Sequence, residues 1–131
     1  MRHTLSGFSS GGSLAVNHLF AFSSSVDGAG IVGGSPYGCS SLPDYSNVCS
    51  GMNDDGVTEN TSIPWNEYVS RCNDYTDARA ARGEIDPIAG LTGKNVYLFS
   101  GLHDDIVYQP VMRAVASQLL AYNATLRTRF D

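Results

Sequence analysis

Gly7-Phe8-Ser9-Ser10-Gly11 matches the pattern G-x-S-x-G. In that pattern a serine sits on a tight turn between a strand and a helix, and its hydroxyl acts as a nucleophile toward an acyl carbonyl. Side chains two residues either side of the serine are expected to collide with the turn, and here Gly7 and Gly11 occupy those places, with Gly12 following. Ser9 would then project its hydroxyl at a helix N-terminus, and the Ser10 backbone N–H would point toward a developing oxyanion. The same string also suits a plain glycine-rich turn or a cradle for phosphate. The loop holds no Lys or Arg, which counts against the phosphate reading.

A serine nucleophile needs a base, and the base needs a carboxylate to orient it. Asp104 and Asp105 lie just past the segment 94–100 (KNVYLFS), at the end of an expected strand, where such sites are built. Either could be that acid, or a loop carboxylate that caps the next helix or faces water. For Asp105 the favoured reading is a loop carboxylate that caps the next helix or faces water. The histidines do not complete the set. His3 precedes Ser9 on its own strand, His18 is two and a half turns along the following helix, and His103 comes before the acid in the chain. All three are expected to be structural or exposed, and the base is expected after the last strand, beyond residue 131.

These residues need a scaffold. Residues 3–7 read as a short strand running into the glycine. Residues 10–22 carry a helical pattern with Leu14, Ala15, His18, Leu19 and Phe22 on one face. Residues 28–33 (GAGIVG) read as a buried strand. From Pro36 to about Asn73 the chain is rich in Ser, Asn, Asp and Gly, and is expected to be an excursion of loops and short turns. Residues 75–83 suggest a short helix ended by Gly83. Residues 94–100 are the clearest strand. Residues 109–122 form a helix with Pro110 in its first turn and Val111, Val115, Leu119 and Tyr122 on one face. Residues 124–130 alternate like a strand. This order predicts a mainly parallel α/β sheet with right-handed crossovers.

The 131 residues suffice for one domain. Only 16% are charged, while 14 glycines and 16 serines make a polar, uncharged surface. The net charge of -5 and the absence of any Lys/Arg cluster exclude nucleic-acid binding through a basic patch. No apolar run is long enough to cross a membrane, and the first residues lack the apolar core of a signal peptide. The three cysteines leave at least one unpaired. Cys39 and Cys49 are ten apart and can close a small loop, which would leave Cys72 over. No C-x-x-C pair suggests zinc. Two glycosylation acceptors, at Asn60 and Asn123, lean toward an extracellular setting.

The string from Ser6 to Cys39 resembles the nucleophile region of secreted polyhydroxybutyrate depolymerases, of the fungal-type group with a circularly permuted α/β-hydrolase fold. Three motifs carry the resemblance, in the right order. They are the S-G-x-S-S-G-G elbow, the strand ending Ile31-Val32-Gly33-Gly34-Ser35-Pro36-Tyr37-Gly38-Cys39, and the acid segment NVYLFSGLHDDIVYQPVM. Cys49-Ser50-Gly51-Met52 is similar to a second cysteine segment of the family. The resemblance implies Ser9 as nucleophile, Asp104 as acid, the Ser10 N–H as one oxyanion donor, and a Cys39–Cys49 disulfide. It implies hydrolysis of a polyester or small ester through an acyl-enzyme, with no metal or organic cofactor, outside the cell. The family's histidine and its oxyanion loop have no counterpart in these residues. Trp65 is read as a packing residue. The expectation is thus a single partial α/β-hydrolase domain over 1–131, inactive alone, with a non-catalytic polymer-binding or partner-binding remnant as the alternative. No oligomeric state is read from the sequence.

Overall fold

The computed structural model describes residues 2–42, 49 and 65–131. Asn60 and the Ser50-Gly51-Met52 segment lie outside the described residues, as does the Trp65 side chain. Four strands form one all-parallel sheet in chain order: β1 (His3–Phe8), β2 (Val26–Val32), β3 (Asn95–Ser100) and β4 (Thr125–Phe130). The connecting helices are α1 (Ser10–Ala21), α2 (Trp65–Ala81) and α3 (Gln109–Ala121), with 3-10 turns at Cys39–Ser41 and Ile88–Leu91. The expected α/β order is therefore what the chain builds.

Strands that follow one another in both sequence and space must all cross over with the same hand, which stacks their helices on one face. Register brings Leu5, Ala29, Val96 and Leu126 into one row, and Gly7, Ile31, Leu98 and Thr128 into the next. Ile31 and Leu98 are fully buried there against Val16, Leu19 and Phe20 of α1 and Val111, Val115 and Leu119 of α3. The alternate positions face the other way. Phe8 is 72% and Tyr97 44% exposed, beside the exposed Arg127 and Arg129.

Two expectations need correction. The helix read at 75–83 begins ten residues earlier, at Trp65, and ends at Ala81, so the loop-rich excursion read as 36–73 gives way to helix at Trp65. Its buried stripe is Tyr68, Cys72 and Thr76, at i, i+4 and i+8, with no large aliphatic side chain to announce the period. It packs chiefly on α3. On α1 the inward face is Gly12, Ala15, Val16, Leu19 and Phe20, whereas Leu14 is 67% and Phe22 52% exposed. Gly12 sets that roll. A Cβ there would stand 2.5 Å from the Gly33 carbonyl oxygen, so the helix turns its bare backbone to the end of β2.

Cys39 and Cys49 form a disulfide with Cα atoms 5.8 Å apart. The remaining thiol, Cys72, is fully buried and packs with Tyr68 and Ala114. Burial pushes the Cys72 thiol up to about 12. At pH 8 its thiolate fraction is then only about one in ten thousand. A thiol reagent such as DTNB is expected to label Cys72 only as fast as the domain unfolds, and rapid stoichiometric labelling of the native chain would contradict this packing.

Candidate active site

β1 ends at Phe8 and α1 begins at Ser10, so one residue makes the whole turn. That residue, Ser9, has φ 58 and ψ −122. A positive φ costs a non-glycine residue roughly 1–3 kcal/mol and persists only where the surroundings over-determine it. Here they do. The Ser9 N–H donates to the Val32 carbonyl at 2.9 Å, and the Ser9 carbonyl accepts from Ser13 N–H at 3.1 Å. Ser9 stands at the N-cap of α1, where a serine hydroxyl ordinarily accepts a helix N–H. It makes no such bond, so its hydroxyl is not spent on the helix. The Ser10 N–H is in the first turn of α1, among the donors that a helix leaves without an internal acceptor.

The turn is crowded on one side only. A Cβ at Gly7 would overlap the Gly11 carbonyl and lie 2.8 Å from Gly12 N, whereas at Gly11 it would meet nothing within 4 Å. The expected symmetry of the two motif glycines therefore does not hold. Gly11 is already inside the helix, where its β-carbon position faces outward. A third glycine matters that the motif does not include. A Cβ at Gly34 would come 2.8 Å from the Gly12 carbonyl carbon. The sequence signal for it was the Gly33-Gly34 pair closing the second strand.

Asp104 lies on the loop after β3. Its Oδ1 accepts two backbone bonds, from Ile106 N–H at 3.0 Å and Val107 N–H at 2.9 Å. Its Oδ2 takes no hydrogen bond among the described residues and reaches within 3.7 Å of where a Gly33 Cβ would be. Gly33 directly follows Val32, the residue that anchors Ser9. The carboxylate and the serine turn thus meet at the same end of the sheet, around the C-terminus of β2. Asp105 is exposed and makes no hydrogen bond among the described residues, in line with the water-facing reading.

A cleft of about 360 Å³ opens at Asp104, lined by Phe8, Val32, Phe99, Leu102, His103 and Asp104 among others, with Phe8 and not Ser9 bordering it from the serine turn. Its volume suits a small organic group and its walls are largely apolar. Behind it, the Gln118 amide clamps the chain after β2. Tyr37 N–H donates to Gln118 Oε1 at 2.7 Å, and Gln118 Nε2 donates to the Tyr37 carbonyl at 3.0 Å. Gln118 is fully buried. No periodicity rule marks a polar residue inside an apolar stripe as a clamp, so sequence reasoning passed over it.

The histidines fall where they were expected. His3 and His18 bond to one another, and His103 is exposed. Among the described residues, no hydrogen bond joins a histidine to Ser9 or Asp104, and no group of three or more His, Cys, Asp or Glu could hold a metal ion. None of the described helices is long and apolar enough to cross a membrane. Asn123 is exposed, in the turn between α3 and β4 with φ 61.

No family model matches the chain. It is 37% identical over 115 residues to a poly(3-hydroxybutyrate) depolymerase of Delftia acidovorans, a match covering 86% of this chain and 21% of that protein. Two solved structures share its fold at 22% identity. One is a PHB depolymerase complexed with an R3HB trimer, with a TM-score of 0.76 over 98% of this chain and 37% of that one. The other is the PHB depolymerase from Penicillium funiculosum, with a TM-score of 0.71 over 98% and 38%. The chain therefore spans about a fifth of the length of the curated relative and a little over a third of the solved structures, and its sheet is a part of their α/β-hydrolase fold.

Proposed function

We propose that this relative of part of the polyhydroxybutyrate depolymerases supplies the nucleophile half of a serine ester hydrolase. Ser9 carries the reading, as a strained serine at a helix N-cap whose hydroxyl caps nothing. Its Oγ attacks the ester carbonyl and gives its proton to an imidazole. The tetrahedral oxyanion takes the Ser10 N–H as one donor. Collapse expels the alcohol, which regains the proton, and leaves an acyl group on Ser9. Water then repeats the sequence and releases the acid. Asp104 orients the imidazole through its free Oδ2 while the loop holds Oδ1.

The imidazole of this scheme belongs to a histidine other than His3, His18 and His103. The substrate is a polyester of 3-hydroxy acids or a short ester of that kind, its acyl chain lying against Phe8 and Phe99 in the cleft. We place the chain outside the cell, where the Cys39–Cys49 disulfide is stable, with Asn60 and Asn123 as carbohydrate acceptors. Metal and organic cofactors play no part in the scheme.

A fluorophosphonate probe tests it directly, since such probes react with activated serines. In the intact depolymerase-like protein carrying this segment, mass spectrometry is expected to find the adduct on Ser9. An active protein whose adduct lies on another serine would overturn the assignment. Binding of polyester without any serine adduct would favour the non-catalytic reading.

A further inference from the structure

At the opposite end of β1 from Ser9, two imidazoles meet. His3 starts the edge strand and His18 occupies the last turn of α1, and their Nε2 atoms are 3.0 Å apart. The rings are nearly perpendicular, with an interplanar angle of 75° and centroids 5.2 Å apart. Phe22 packs on the His18 ring at 4.8 Å. Both histidines are half-buried, and each is fixed by a regular element.

We propose that His3 and His18 form a bidentate site for one divalent transition-metal ion of the Ni²⁺ or Cu²⁺ kind. Imidazole nitrogens bind such ions at about 2.0–2.1 Å. Two nitrogens 3.0 Å apart then subtend roughly a right angle at the metal, the angle between neighbouring ligands in square-planar and octahedral sites. A tetrahedral ion needs them farther apart, at about 3.3 Å.

The surroundings favour a cation. The site lies at the C-terminal end of α1, where the backbone carbonyls concentrate negative potential. The Asp27 carboxyl is close by. It is held below its usual range chiefly by the Arg2 hydrogen bond. Arg2 and Lys94 are the opposing charges, Arg2 being engaged by Asp27. The chain as a whole carries -5.

Without metal, one ring donates its Nε2–H to the lone pair of the other. Metal binding removes that proton to solvent and places one on Nδ1 of the same ring, so two neutral rings bind with no net proton change. The rings now face each other nearly head-on, and each turns off that line, by up to roughly 40°, so that both lone pairs point at the ion. Water fills the other positions, since no third protein ligand stands there among the described residues.

The intact protein that carries this segment is titrated with NiCl₂ by calorimetry, after which EDTA is added. One ion is expected to bind at micromolar concentration, reversibly, and His18→Ala should weaken it about 30-fold or more. Undiminished binding by His18→Ala would overturn the site, because binding would then not need the second imidazole. If that variant fails to fold by circular dichroism, the unsubstituted chain decides. Bound Ni²⁺ should broaden the ring-proton signals of His3 and His18 and spare those of His103, and the reverse pattern, or no binding below about 1 mM, would refute it.

Discussion

A single methyl group at position 7 is expected to remove most of the stability of this domain. In Gly7→Ala the new carbon overlaps the Gly11 carbonyl and presses on Gly12 N, and both are backbone atoms with no rotamer to give way. Relief requires moving the start of α1, which is itself wedged by Gly12 against the Gly33 carbonyl. The cost is put at more than about 4 kcal/mol, the range reserved for substitutions that break a specific structural device. Gly11→Ala is the control. Its Cβ meets nothing, and alanine is the better helix former by about 0.5–1 kcal/mol. Denaturant unfolding should therefore send two glycines of one motif in opposite directions. If Gly7→Ala unfolds within about 1 kcal/mol of the parent, the elbow is looser than its geometry requires.

The second large effect is chemical. Asp104→Asn is expected to lower ester hydrolysis by about a thousandfold to ten-thousandfold in the protein that carries this segment, with stability nearly unchanged. Asparagine keeps an acceptor oxygen for Ile106 N–H and Val107 N–H, so the loop survives. Its amide nitrogen then replaces Oδ2, and a donor faces the imidazole N–H where an acceptor is needed. The loss should appear in kcat rather than KM, because in the proposed scheme this atom faces the imidazole and not the ester. Asp104→Ala should add a stability loss, since both loop bonds go. An Asn variant within tenfold of the parent rate would remove Asp104 from the acid role.

The parts of the fold that were legible in the sequence are those governed by large aliphatic side chains. Val96 and Leu98 marked β3, and Val111, Val115 and Leu119 marked α3, because burial of such residues repeats with the period of the element. The elbow was legible because glycine answers a steric demand that few other residues meet. The helix α2 was hidden, since Tyr68, Cys72 and Thr76 make its buried stripe from residues that also occur in loops. The roll of α1 differs from the face that spacing predicts, since Leu14 and Phe22 point outward. What decides the roll is the backbone approach at Gly12, a contact between elements that no local pattern reports. At the site, Ser9 and Asp104 could each be named from their neighbours. Their convergence on Val32 and Gly33 depended on strand order.

That strand order bears on how the domain assembles. Among the described residues each strand pairs only with its neighbours in chain order. The pairings are not equal in reach. β1 and β2 are joined through residues 9–25, and β3 and β4 through 101–124, but β2 and β3 are separated by 33–94. Closing the longest loop carries the largest entropic penalty and comes latest. Two compact βαβ halves can therefore form first and dock once, along the β2–β3 seam. Ser9 belongs to the first half and Asp104 to the second, so the proposed nucleophile and its proposed acid come together only in that final docking.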